Sequence, residues 1–140
     1  MSMTAAEWAT RYPNFDYRKL ACRCGKCGPE SGLKMDPKFM DAMQAMRTEL
    51  GQALVETSGF RCANHPEERK KATPGAHSFG KAMDVVIDGQ KCHKILMLLS
   101  KYKFTGVGIG IRAGKNMLHL DMCTVADAPH FTARPNVWTY

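Results

Sequence analysis

Residues 75–87 read G-A-H-S-F-G-K-A-M-D-V-V-I, and this stretch limits what the chain can become. It sets His77 and Asp84 seven residues apart. Two turns of helix would align them, but Pro74, Gly75 and Gly80 interrupt any helix there. The apolar run that follows predicts a strand over 82–87, which leaves His77 in a loop and Asp84 near a strand start. A neutral imidazole and a carboxylate oxygen are both good ligands for a zinc-like ion. Two ligands do not make a site, so the fold must bring a third.

The segment Met117 to Met122 supplies a candidate. It reads as a strand, and strand side chains alternate between faces, so Met117, His119 and Asp121 point one way and Leu118, Leu120 and Met122 the other. The Leu/Met face is core, which turns a histidine and an aspartate together toward solvent or a cleft. Two histidines and one carboxylate, with a fourth position left for water, form a catalytic rather than a structural zinc pattern. Zinc held this way makes water nucleophilic at neutral pH. Arg61 follows the strand expected over Ala53–Thr57 and opens the long polar loop that leads to His77. A guanidinium there can hold a substrate carboxylate or oxyanion, or pair structurally with one of the acids. His65, His93 and His130 read as surface or loop histidines.

Around these residues the pattern is α+β. Thr4 and Glu7 stand at capping-box spacing before a short helix that ends at Pro13. The clearest helix runs from Pro37 to Leu50, with Asp36 as N-cap, Pro37 in the first turn and Gly51 as terminator. Its methionines recur at helical spacing and read as core. Ala63 to Ala76 is a long loop with one helical turn near Glu67–Lys71. Gln90 to Tyr102 reads as a second main helix, Gly106 to Ile111 as a strand whose glycine face permits close approach, and Ala113 to Asn116 as a turn. A Cys/Gly-rich loop at 21–32 and an irregular tail at 123–140 complete one expected domain over 1–140. Trp138 and Tyr140, in the tail, are expected to pack back on it.

The net charge is +7, which favours anionic partners or simply a solvated basic surface. Nucleic acid is not the expected partner, because aromatic residues are not interleaved with the basic ones. The N-terminus lacks the features of a secretory signal, and no apolar run is long enough to span a membrane. Reduced thiols are therefore expected for the six cysteines. Cys22, Cys24 and Cys27, with Cys62 as a distant fourth, read either as part of a structural zinc site or as plain thiols.

Ser58-Gly59-Phe60-Arg61-Cys62, Gly75-Ala76-His77 through Asp84, and Leu118-His119-Leu120-Asp121 together resemble the peptidase M15 family. These are zinc D-Ala-D-Ala carboxypeptidases and related peptidoglycan peptidases, phage endolysins included. The likeness runs from about Phe15 to Tyr140. It takes in the Cys22–Cys27 cluster and Arg134-Pro135 to Trp138, which resemble a small phage and prophage branch. It implies a Hedgehog/DD-peptidase-like fold, with a small antiparallel-type sheet packed with two main helices. It also implies one Zn2+ per chain on His77, Asp84 and His119, a substrate-binding or polarising role for Arg61, and Ser78 lining the site. The reaction it implies is cleavage of an amide bond in bacterial wall stem peptides, by a monomer made in the host cytoplasm and released with holin help, or carried in the virion.

One departure stands out. Several relatives carry an acid three positions before the last zinc histidine, or a histidine two before it; here those positions are Asn116 and Met117. That leaves Asp121 as general base or as orienter of His119. It also leaves open a catalytically inactive, zinc-stabilised wall-binding or virion protein of the same fold.

Overall fold

A computed structural model describes residues 3–112 and 115–140. The helix α1 (Ala5–Arg11) begins at the expected capping box, in which the Thr4 side chain accepts from the Glu7 N–H and the Glu7 carboxylate accepts from the Thr4 N–H. Its Trp8 indole donates to the Phe15 carbonyl at 2.8 Å. The helix α2 (Pro37–Leu50) has the expected bounds, with Asp36 accepting from the Phe39 N–H and Gly51 in the left-handed region at φ +69. Phe39, Met40, Met43 and Met46 lie on its buried face.

Five strands follow: β1 (Val55–Ser58), β2 (Ala82–Val86), β3 (Gly106–Arg112), β4 (Lys115–Asp121) and β5 (Asn136–Thr139). They form one sheet in the order β1-β2-β4-β3-β5. The first four pair antiparallel, and β5 joins β3 in parallel, so the sheet is mixed rather than purely antiparallel. Met83, Val85, Leu118 and Leu120 project from one face into the cluster that holds the α2 methionines, Phe39 and Ile95. Burying that face fixes the register, since a one-residue slip would turn it to solvent.

Two short α-helices lie between the strands, α3 (Pro66–Arg69) within the long loop and α4 (Gly89–Leu96). The expected second main helix is shorter than Gln90–Tyr102. Beyond Leu96 the chain turns, with Lys103 at φ +63, so that Leu99 and Phe104 both reach the core while Met97 stays 68% exposed. A run of consecutive apolar residues has no single helical stripe to bury, and packing decides where it stops. The tail is not irregular throughout: it has a 3-10 turn at Pro129–Phe131 and then β5. The turn expected at 113–116 begins outside the described residues, and Lys115 and Asn116 already belong to β4. Among the described residues, no helix is long and apolar enough to cross a membrane.

Candidate functional site

The face of the sheet opposite the core is organised by a single row of paired residues. Ser58 pairs with Asp84, Asp84 with His119, His119 with Gly108, and Gly108 with Trp138. In the neighbouring row Ala82, Asp121, Gly106 and Asn136 are matched. Directly opposed residues on one sheet face have side chains within reach of each other. Asp84 and His119 therefore meet because β2 and β4 are neighbours in this register.

His77 arrives from outside the sheet. It sits in a 3-10 turn, Ala76–Phe79, ended by Gly80 at φ +67. A Cβ at Gly80 would stand 2.7 Å from the Lys34 carbonyl oxygen, so both backbone angle and space call for glycine. One ligand atom from each of His77, Asp84 and His119 lies within 4.8 Å of the others, and all three residues are buried. The His119 Nδ1 is 3.1 Å from Asp84 Oδ1, and the His77 Nε2 is 3.4 Å from Asp84 Oδ2.

The far nitrogen of each ring is anchored. His77 Nδ1 is 2.7 Å from the Gly59 carbonyl oxygen, and His119 Nε2 is 2.8 Å from Asp121 Oδ2. A ring whose outer nitrogen donates to an oxygen presents its other nitrogen as a lone pair, the tautomer a metal ligand needs. The donor set, two imidazoles and a carboxylate converging from three segments, thus fits a zinc-like ion. Burial would raise the Asp84 carboxyl, but the facing His119 and His77 rings outweigh it and hold Asp84 well below the usual carboxylate range. Burial lowers His77 below the ordinary histidine value. Burial also opposes the charged form of His119, yet Asp121 and Asp84 together leave it raised.

Asp121 is fully buried. Beyond His119 it accepts from Arg134 Nε at 3.1 Å and Arg134 Nη2 at 2.8 Å, and from the Cys123 N–H at 3.2 Å. Burial would raise its pKa, but His119 and then Arg134 draw it down to about 2. A carboxylate so enclosed orients an imidazole; it has no face left for a reacting water. Of the two roles open to Asp121, this geometry fits the orienter.

The glycine face of β3 has its reason here. A Cβ at Gly106 would overlap the Asp121 carboxylate, and one at Gly108 would stand 2.6 Å from the Trp138 indole nitrogen. Trp138 lies 5.3 Å from the His119 ring, and the Arg134 guanidinium carbon lies 4.9 Å from the Trp138 ring. The tail thus walls the site, with Arg134 gripping Asp121 and Trp138 covering His119. The short, mostly exposed β5 has no alternating pattern that would announce it in sequence.

Arg61 reaches Asp84 at 3.5 Å and Glu68 at 3.7 Å. Its Nε is buried and has no hydrogen-bond partner. Glu68, which sequence reading overlooked, is the buried centre of the long loop. It accepts from Lys71 Nζ at 2.8 Å, the Gly75 N–H at 2.9 Å and the Ser78 hydroxyl at 2.9 Å. Burial alone would raise it; Lys71, the Gly75 N–H and Ser78 bring it to about 2. The one-turn helix near Glu67–Lys71 was legible, but not that Glu68 faces inward. Ser78, placed near the site, spends its hydroxyl on Glu68 rather than on the cleft.

A cleft of about 500 Å³ opens over the triad, lined by Arg61, His77, Asp84, Met117, His119 and Trp138 among others. Met117 faces it and Asn116 does not, so neither offers a titratable group there. Besides the triad and two arginines, its titratable lining is Glu67, Lys71 and Tyr140. A larger hollow, about 850 Å³, runs along α1 between Met3 and Pro37 and brings together no histidine, cysteine or aspartate. Of the other histidines, His93 is exposed, and exposed His130 contacts the Pro74 carbonyl at 2.6 Å.

No curated protein matches the chain. The family model described as Peptidase M15 matches residues 13–121, a span that takes in β1 to β4 and includes Arg61, His77, Asp84, His119 and Asp121. Arg134 and Trp138 lie beyond it. On that match, the chain belongs to the peptidase M15 family.

Proposed function

We propose that this peptidase is zinc-dependent and hydrolyses an amide bond in peptidoglycan stem peptides, as a D-Ala-D-Ala carboxypeptidase or an endopeptidase of the phage or prophage endolysin kind. The observation that carries the reading is the buried triad His77, Asp84 and His119, in which each imidazole is anchored through its outer nitrogen. These three side chains would hold one zinc. When bound, the metal supplies Lewis acidity, polarising the scissile carbonyl and making water acidic enough to attack at neutral pH.

The chain's own residues do the rest. Asp121, clamped by Arg134, keeps His119 in one tautomer and orientation. Arg61 sits beside the triad with an unpartnered Nε and two loose ion pairs, so it can turn donors toward a substrate carboxylate or a developing oxyanion. Trp138, Phe131 and Met117 give the cleft an apolar wall that limits water around the reacting bond. In the hydrolysis the C–N bond breaks, the water oxygen ends on the carbonyl carbon, and the amine leaves with a proton. The basic surface suits a wall rich in phosphate and carboxylate. Monomeric action, holin-dependent release or carriage in the virion accompany this reading.

Met117, apolar where some members of the family carry a histidine, favours a second reading: a catalytically inactive, zinc-stabilised wall-binding or virion protein. Incubation with purified peptidoglycan separates the two. The first predicts new amino termini whose release stops with chelator, returns with zinc and is absent from His119→Ala. Zinc binding with no bond broken selects the second.

A further inference from the structure

A second cluster of ligand-type side chains lies outside the cleft. One sulfur from each of Cys22, Cys24, Cys27 and Cys62 lies within 4.8 Å of the others. All four are free thiols, Cys22 buried and the others partly so. The closest pair of these sulfurs in hydrogen-bond contact, Cys24 and Cys27, is 3.4 Å apart. A disulfide needs about 2.05 Å. Tetrahedral zinc with Zn–S bonds of about 2.3 Å sets its sulfurs roughly 3.8 Å from one another. We propose that Cys22, Cys24, Cys27 and Cys62 form a structural metal site that takes zinc through four thiolates.

The local backbone is shaped for this. Gly25 at φ +90 and Gly28 at φ +75 follow Cys24 and Cys27, and each turns the chain through the left-handed region that glycine tolerates. The first turn aims the Lys26 N–H at Cys24 Sγ, at 3.4 Å. From the other segment, the Cys62 N–H donates to Cys22 Sγ at 3.3 Å. Amide donors on sulfur stabilise the thiolate, the form that binds metal. Four protein sulfurs leave no open coordination position, so the site is closed and structural.

Its place in the fold gives it a task. Residues 59–62 form the hinge between β1 and the long loop. Gly59 packs on Leu20, where a Cβ would stand 2.7 Å from the Leu20 Cβ, and the Phe60 N–H donates to the Leu20 carbonyl at 2.9 Å. The Gly59 carbonyl anchors His77, and Arg61 immediately precedes Cys62. A metal joining Cys62 to the 22–27 turn would pin this hinge. It would thereby position Arg61 and His77 without touching the cleft.

The test loads metal-stripped, reduced full-length chain with zinc or cobalt and counts metals by native mass spectrometry. His119→Ala, with every cysteine intact, is expected to retain one metal per chain, and its cobalt form to show intense thiolate-to-cobalt charge transfer in the near ultraviolet. Cys24→Ser/Cys27→Ser in the wild-type background is expected to lose that band and one metal while remaining folded by circular dichroism. Should that variant not fold, the His119→Ala result decides alone. A His119→Ala chain that binds no metal, or whose cobalt spectrum lacks the thiolate band, overturns the proposal. So does an intact mass lower by two hydrogens in the metal-free chain isolated without reductant, if reduction and zinc fail to refill the site. Loss of the triad's metal alone would instead count against the zinc-peptidase reading.

Discussion

Replacing Asp121 with Asn keeps the side chain's shape and removes its charge. In the native chain Oδ2 serves His119 and Arg134 at 2.8 Å each, while Oδ1 serves Arg134 and the Cys123 N–H at 3.1 and 3.2 Å. Asparagine has one acceptor oxygen, so its amide N–H must face a donor from His119, Arg134 or Cys123. At least one charge-assisted hydrogen bond is lost, which costs about 1.5–3 kcal/mol in a buried setting. With an unfolding entropy of roughly 2.1 cal/mol/K per residue over 140 residues, a loss of about 2 kcal/mol lowers Tm by about 7 °C. The same change frees the His119 ring, and orienting partners of metal-bound histidines are worth about 10–100-fold in affinity. Zinc competition with a chromophoric chelator should show that weakening at the triad. Hydrolysis measured across zinc concentrations should recover to within a few-fold of native kcat once the site is filled. Unchanged zinc affinity with kcat still reduced by orders of magnitude at saturating zinc would make Asp121 a proton carrier and refute the positioning argument.

Other substitutions probe the surrounding frame. Gly106→Ala puts a methyl into the Asp121 carboxylate and Gly108→Ala pushes on Trp138; each should cost about 1–3 kcal/mol in thermal melts, against no loss if the face were merely solvent. Only Gly106→Ala should also weaken zinc strongly. Glu68 is held near 2 against an ordinary 4.5, so the stability it contributes is complete above about pH 4.5 and is lost as pH falls toward 2. The shift corresponds to about 3 kcal/mol at most. Glu68→Gln should therefore be less stable than native near neutrality, with the gap closing in acid; a constant gap across that window would contradict the ion-pair account. Arg61→Ala should leave zinc content unchanged and lower kcat/KM by about 10²–10³-fold if the guanidinium binds developing charge, and a fall in zinc content instead would make it a structural partner of Asp84.

Much of this arrangement was legible before any coordinates. The Thr4 capping box and the Asp36-to-Gly51 helix follow from local chemistry, because caps and terminators act over a single turn. Strand alternation placed His119 and Asp121 on one face, and the structure joins them at 2.8 Å. What alternation cannot supply is strand order. That Asp84 lies opposite His119, and Gly108 between His119 and Trp138, depends on β2, β4, β3 and β5 being neighbours in this register. The tail was opaque for a physical reason: β5 has four residues, mostly exposed, with no buried stripe to read. Glu68 was opaque because a buried acid satisfied by Lys71, Gly75 and Ser78 looks, in sequence, like any charge in a polar loop.

Mass spectrometry of a peptidoglycan digest tests the central claim most directly. The zinc-loaded chain is predicted to yield fragments cut at one amide bond within the stem peptides, with the glycan chain uncleaved, and His119→Ala is predicted to yield none. Stem peptides left whole by a chain shown to be folded and zinc-loaded, or cleavage that persists in His119→Ala, would contradict it.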